Sequence, residues 1–247
     1  TKIKRPFYNQ LSSNMRYMNR FTYMSGNPDL KPETIHDLTL SGSYKWLQFM
    51  ISYQREKDAI LYITEQYKKN PAITTVTHRN FNRIDNFSAF LTASPAVGSW
   101  HPQLTVGVQK QWAKIEHNGE TLQMDTPLFF CTLNNGIQLP YHWTLSTDIN
   151  FQSKGDYQNI YMYQNVFMMN ATLTKSFLNE HLSIHLQGID LTHGRKDGNR
   201  IYNKHMNMDV ANVSDSRELR FTIRYKFNTA KSKYKGKGAA TEEIKRL

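Results

Sequence analysis

Residues 143–152 read Trp-Thr-Leu-Ser-Thr-Asp-Ile-Asn-Phe-Gln, and this stretch decides the fold. Trp143, Leu145, Ile149 and Phe151 fall on one side of a two-residue alternation. Thr144, Ser146, Asp148, Asn150 and Gln152 fall on the other. A strand sends successive side chains to opposite faces, so this segment is a strand with one apolar and one hydrophilic side. Residues 219–227 repeat the pattern: Leu219, Phe221, Ile223, Tyr225 and Phe227 against Arg220, Thr222, Arg224 and Lys226. What the apolar side touches decides between a soluble sheet and a membrane wall.

Working outward, alternation first appears at His36, with Leu38, Leu40, Tyr44 and Trp46 against Asp37, Thr39, Ser41, Ser43 and Lys45. It continues through Phe49, Ile51 and Tyr53, through Phe87–Ala93, and through 104–115, 128–139, 142–153, 167–177, 182–191 and 218–227. The reading is about nine strands, with a tenth cut off at residues 1–5. Connectors near 47, 94–102, 140–141 and 178–181 are short. Those near 68–75, 116–126, 154–163 and 193–216 are long and polar. Short turns on one rim and long loops on the other describe an outer-membrane barrel with its short rim periplasmic. Trp46, Phe49, Trp100, Tyr141, Trp143, Phe177, Tyr225 and Phe227 all lie beside short turns or in the last strand. Rings with a polar edge favour the membrane–water boundary, so a girdle there has a physical cause.

Composition agrees. Only 39% of the 247 residues are hydrophobic, and no run approaches the ~18 apolar residues of a helical span. A membrane strand needs an apolar residue only at every second position, so a low average hydropathy is compatible with a barrel. The formal net charge of +11 is spread over polar faces and a C-terminal tail, without a nucleic-acid motif. Cys131, the single cysteine, sits between Phe129 and Leu133 as a small wall residue, and zinc patterns are missing. The chain starts Thr1-Lys2-Ile3 without an export signal, so on the membrane reading it is a piece of something longer.

Gly26-Asn27-Pro28-Asp29-Leu30-Lys31-Pro32-Glu33 resembles the GNPxLKPE signature of TonB-dependent outer-membrane receptors. Lys4-Arg5-Pro6-Phe7-Tyr8-Asn9-Gln10-Leu11 resembles their RPxYxxL stretch. The close, Arg224-Tyr225-Lys226-Phe227-Asn228, is similar to that of a Bacteroidota outer-membrane β-barrel family. The resemblance implies an all-β, transmembrane, antiparallel up-and-down barrel of about 22 strands, of which this chain supplies about 9–10 C-terminal ones. It further implies an outer-membrane receptor that imports a scarce ligand and is not an enzyme. A plug domain fills such barrels and TonB delivers energy through it; neither a plug nor a TonB box is recognisable here. The implied partners are outer-membrane lipid and lipopolysaccharide, the remaining strands and plug of the parent protein, TonB, and the barrel-assembly machinery, which reads Tyr225 and Phe227. No cofactor or nucleic acid is expected. Two alternatives stay open: a complete small pore or adhesin barrel, and a soluble β-rich binding module.

The organisation expected is a truncated strand end and extracellular loop over 1–34, barrel strands over 35–227, and a basic periplasmic tail over 228–247. Within the motif, Pro28 and Pro32 restrain the backbone and push Asn27 and Lys31 towards extended conformations, while Gly26 permits a turn, so a structural role is expected. His181 and His185 share a strand face about 13 Å apart, too far for one metal ion. Asp190, in Gly188-Ile189-Asp190-Leu191-Thr192, is expected to anchor a loop through hydrogen bonds. The candidate ligand contacts are the loop residues Tyr157, Tyr161, Tyr202 and His205, whose rings offer flat area with a polar edge. The alternative for these tyrosines is packing against neighbouring loops. Arg195, Lys196 and Arg200 suit an anionic ligand or lipopolysaccharide phosphates.

Overall fold

Antiparallel pairing carries the chain back and forth through one continuous wall. The computed structural model describes residues 1–67, 69–117, 119–202, 207–213 and 215–227. Its elements begin with β1 (Lys2–Lys4), α1 (Tyr8–Leu11), β2 (Arg16–Asn19), β3 (Thr22–Met24), β4 (Glu33–Tyr44), β5 (Leu47–Gln66) and β6 (Thr74–Ala93). They continue with β7 (Trp100–His117), β8 (Glu120–Met124), β9 (Leu128–Leu139), β10 (Trp143–Gln152), β11 (Gly155–Tyr157) and β12 (Ile160–Met162). The last are β13 (Val166–Phe177), β14 (Leu182–Ile189), β15 (Lys196–Tyr202), β16 (Asn207–Val213) and β17 (Glu218–Tyr225). The wall runs β1-β4-β5-β6-β7-β9-β10-β13-β14-β17. Ten strands thus follow one another as the sequence pattern requires. The edges β1 and β17 do not pair with each other among the described residues, so the wall is an open sheet with two ends.

Register makes the alternation continuous from strand to strand. Leu133, Ile149 and Met169 are direct cross-strand neighbours, as are Leu145, Leu173, Leu186 and Phe221. One face of the wall is therefore apolar across its width. Asn134, Asp148 and Asn170 share the other face, with Thr174, His185 and Thr222 two rows away towards the short turns. Cys131 lies between Val106 and Phe151 on the apolar side. Two polar residues on that face satisfy one another, Asn135 Nδ2 donating to Thr147 Oγ1 at 3.0 Å while Trp100 Nε1 donates to Asn135 Oδ1 at 3.2 Å. Unpaired in hydrocarbon, each group would cost several kcal/mol.

The rims differ as the connectors require. The short turns at 45–46, 140–142 and 178–180 use left-handed backbone at Lys45, Tyr141, His142, Leu178, Asn179 and Glu180. Exposed Trp46, Trp100, Tyr141, Trp143, Phe177 and Tyr225 ring this rim. Lys175 lies over both Trp143 (5.1 Å) and Phe177 (5.5 Å). A second aromatic row, which the sequence reading does not contain, borders the far side of the apolar face at Phe129, Phe151 and Phe167, with Phe151 and Phe167 directly paired.

The long connectors are not plain loops, which corrects the sequence reading. The segment after β10 forms the hairpin β11–β12, and the segment after β14 forms β15–β16. Together they make a separate four-stranded sheet, β11-β12-β15-β16. The segment after β7 returns as β8 on the edge of β7. The first 34 residues, read as a loop, hold α1 and the hairpin β2–β3, and β3 pairs in parallel with β6. The first long wall strand begins at Glu33, two residues earlier than expected.

The buried cluster sits at this long-connector end. Ala59, Leu61, Ile84, Ala113, Ile115 and Met124 form it, with Phe81, Leu122, Tyr161 and Tyr202 packed against them. Asp58 explains how β5 reaches it. Asp58 adopts φ 54° and interrupts the pairing between Lys57↔Arg83 and Ala59↔Phe81. Before it, odd-numbered Ile51 and Tyr53 lie on the apolar outer face. After it, odd-numbered Ala59 and Leu61 are buried with Ile84, whose neighbours Glu56 and Ala113 belong to the polar face. A single left-handed residue thus turns the strand over.

Candidate ligand-facing site

The polar face of β5, β6 and β7 is roofed by the turn between β11 and β12. Ser52, Gln54, Glu56, Asn86, Ser88, Phe90 and Gln109 line a cavity of about 300 Å³ beneath Tyr157 and Gln158. Glu56 Oε1 accepts from Gln54 Nε2 at 3.0 Å and from Asn86 Nδ2 at 3.2 Å, which orders the floor. The Phe90 ring lies over Gly107, where a Cβ would come within 2.2 Å of it, and packs 6.2 Å from Phe130. The lining therefore combines amides, hydroxyls, one carboxyl and two aromatic rings. Such groups can hydrogen-bond a small polar molecule and offer it flat ring contact.

The roof is held by two buried amides. Gln111, 2% exposed, donates from Nε2 to the Gln158 carbonyl at 2.7 Å and accepts at Oε1 from the Gln158 amide at 2.5 Å. Asn159, fully buried, donates to the carbonyls of Tyr62 (2.7 Å) and Tyr202 (3.2 Å). These bonds join the wall, the β11–β12 hairpin and the β15–β16 hairpin. Asp156 Oδ2 accepts from the Thr126 amide at 2.8 Å, tying the same hairpin to the end of β8. Burial pushes the Asp156 carboxyl above the usual aspartate range, and the Thr126 bonds offset part of this.

Of the four loop residues chosen from sequence, the structure separates three. Tyr157 borders the cavity and is exposed. Tyr161 and Tyr202 pack instead against the buried cluster, joining the loop sheet to the wall. His205 lies outside the described residues. Arg200 forms a two-bond ion pair with Asp209 across β15 and β16, at 2.6 and 3.0 Å, so its charge is already matched. Sequence reasoning passed over Gln111, Gln158 and Asn159, because amides in a polar alternation carry no signal of their own.

Asp190 organises the connection from β14. Its carboxylate accepts hydrogen bonds from Ser216 Oγ, the Gly194 amide (2.8 Å) and the Arg195 amide (3.3 Å). Its own amide donates to Asn170 Oδ1 at 2.9 Å. Burial pushes the Asp190 carboxyl up, but the bonds from Ser216, Gly194 and Arg195 outweigh it and hold it below the usual aspartate range. His185 bonds to Thr174 at 3.0 Å and Ser183 at 2.9 Å, and no metal-competent cluster occurs among the described residues.

The eight-residue motif is a structural hub at the same end. A Cβ on Gly26 would stand 2.5 Å from the carbonyl oxygens of both Gln10 and Ser12. The Gly26 and Asn27 amides donate to Ser12 and Gln10 carbonyls, at 2.8 and 2.6 Å. Asn27 Nδ2 reaches the His78 carbonyl on β6 at 3.0 Å, and Leu30 is buried. Between Pro28 and Pro32, the Lys31 backbone forms two bonds with Asn80, whose Nδ2 also donates to the Asp58 carbonyl at 2.7 Å. Glu33, 3% exposed, pairs with Lys4 at 2.9 Å and accepts from the Ile60 amide at 2.5 Å.

Comparison with known proteins places this architecture. A family model described as the outer membrane protein beta-barrel family matches residues 1–225, and the chain belongs to that family. The protein resides in the outer membrane. Among solved structures, the outer membrane transporter YddB from Escherichia coli is similar, with 11% identity and a TM-score of 0.45 over 84% of this chain. The match covers 34% of that transporter, so the chain spans about a third of its length. No curated protein sequence matches the chain.

Proposed function

We propose that this member of the outer membrane protein β-barrel family is the C-terminal part of the barrel of a TonB-dependent receptor that imports a scarce ligand. The observation that carries the reading is the roof over the polar face. Gln111, Gln158 and Asn159 lock a hairpin layer across the inner side of the wall and leave a polar cavity beneath it. Such a layer obstructs free diffusion and presents ligand-binding groups at one end. The long connectors face the cell exterior on this reading, since bacterial barrels keep their short turns periplasmic. The edges at β1 and β17 call for further strands, because unpaired strand groups in hydrocarbon cost several kcal/mol each. Remaining strands of the parent barrel supply them, a plug fills the lumen, and TonB acts through that plug. Tyr225 and Phe227, packed edge to face at 4.6 Å, mark the last strand for the assembly machinery.

Single-channel recording on the full-length protein in planar bilayers tests the reading. A plugged receptor is electrically silent in buffer and conducts only when denaturant loosens the plug. Steady conductance without denaturant overturns the receptor in favour of an open pore.

A further inference from the structure

Above the apolar rows, the outer face of β5, β6 and β7 changes abruptly to cations. Ile51, Ala89 and Val108 form one cross-strand row, and Tyr53, Phe87 and Lys110 the row on its long-connector side. Arg55, Asp85 and Trp112 come next, followed by the pair Lys57 and Arg83. Lys114, two residues beyond Trp112 on the same exposed side of β7, completes the set. Arg55 lies eight residues from Leu47, about 26 Å along the strand and about 20 Å in height at the usual tilt of about 40°, close to the upper margin of an apolar band ~25 Å tall. The cations therefore begin near the upper margin of the hydrocarbon, from which long Lys and Arg side chains reach the headgroup level.

The patch is organised. Asp85, 7% exposed, accepts from Arg55 Nε at 2.8 Å and Tyr53 Oη at 2.8 Å, and pairs with Arg83. Arg55 Nη2 bonds to Tyr53 Oη at 3.0 Å, so one buried carboxylate fixes two guanidinium groups. Lys110 lies over the exposed Trp112 ring at 5.4 Å. Lys57, Lys110 and Lys114 form no ion pair among the described residues. Two of the five cations thus bind the central Asp85 carboxylate and three lysines do not, while Asp125 lines the same hollow as Arg83, Trp112 and Lys114, and Glu116 lies two residues beyond Lys114. Beyond β7, the matching border of the wall is Phe129, Phe151 and Phe167, so the charge is a local patch and not a ring.

We propose that this patch binds the phosphate groups of a phosphorylated glycolipid headgroup in the outer leaflet, with its acyl chains lying down the apolar rows of β5–β7. Guanidinium forks match phosphate oxygens, and ammonium groups at the membrane surface add attraction. The site is distinct from the roofed cavity, which opens on the opposite face of the same strands. It rests on the reading that the apolar face of the wall contacts lipid.

Native mass spectrometry of the full-length protein tests it, with bisphosphorylated lipid A, phosphate-free lipid A and inorganic phosphate as probes. The wild type retains the bisphosphorylated form and not the phosphate-free form. Lys57→Gln combined with Lys110→Gln and Lys114→Gln weakens retention roughly 100-fold, about fivefold for each lysine near the charged surface. Equal retention by the triple variant, or of the phosphate-free lipid, overturns the proposal. So does inorganic phosphate binding with the same lysine dependence as lipid, which makes the site a free-anion site. A fluorophore at Leu91, quenched by brominated acyl chains in the same preparations, reports the wall separately. Quenching without lipid A retention rejects the patch alone, and loss of quenching rejects the lipid-facing wall beneath it.

Discussion

The carboxamide of Gln111 brackets the backbone of Gln158, donating to its carbonyl and accepting from its amide across a separation of 47 residues. No other backbone group of the β11–β12 turn is held from both sides by one wall side chain among the described residues. Gln158 itself sits at φ 56°, a conformation that the bracket stabilises.

Gln111→Ala leaves a buried amide and carbonyl without partners, at about 1–3 kcal/mol. The expected outcome is local, with hydrogen exchange of residues 155–162 accelerated by about 10- to 100-fold. Exchange in β9 and β10 stays unchanged. Exchange at 155–162 equal to wild type would show that the hairpin is held by Asn159 and the buried cluster alone.

Leu173 lies between Leu145 and Leu186, midway between the aromatic borders at Phe167 and Phe177. Leu173→Arg places a guanidinium near the bilayer midplane and costs about 2–4 kcal/mol in unfolding from lipid vesicles. Its neighbour Thr172 faces the polar side, so Thr172→Arg costs far less. Equal costs would mean that the two faces are not differently solvated.

Gly26→Ala drives a Cβ to 2.5 Å from two backbone oxygens that cannot move independently. A cost of about 1–3 kcal/mol is expected from such overpacking, concentrated in the segment around α1 and β2–β3. Limited proteolysis between residues 7 and 32 reads it, and a cleavage rate matching wild type argues against the hub.

The Asp190 carboxyl is held below its unfolded value, so the stability it gives its loop is present above pH ~4 and is lost as pH falls through the lower folded value. Exchange protection of the Gly194 amide should persist at pH 5 and collapse only in stronger acid. Asp190→Asn should expose the same amide already at pH 7. Protection that disappears between pH 5 and 7 in the wild type would assign the loop to a different titrating group.

Phe227→Asp in the full-length protein should lower the amount of heat-modifiable barrel in the outer membrane severalfold. Lys226→Asp, on the opposite face, should not. Equal assembly of both variants removes the terminal-pattern role from Tyr225 and Phe227.

The faces of the wall were legible in the sequence because their cause is local. Successive strand side chains point to opposite sides whatever the rest of the chain does, so Leu145, Ile149 and Phe151 had to share a face. The alternation of short and long connectors likewise set ten wall strands in chain order and put the aromatic ring of Trp46, Trp100 and Trp143 at one rim. The second border, Phe129, Phe151 and Phe167, escaped notice because its residues adjoin long connectors and align only through register.

What the alternation could not show was where a strand turns over or what a connector packs against. Asp58 is one polar residue among many until its φ of 54° exchanges the faces of β5 and buries Ala59 and Leu61. Tyr161 and Tyr202 look like exposed loop tyrosines in the sequence, and only the folding of two distant hairpins into one sheet packs them, half-buried, against the cluster. Arg55 and Asp85, thirty residues apart, become partners through the β5–β6 register, and Gln111 meets Gln158 through the roof. Periodicity is a property of neighbours along the chain, so it determined the wall. The roofed cavity and the cationic patch are made by residues far apart in sequence, and contacts of that kind leave no period to read; only the tertiary structure decided them.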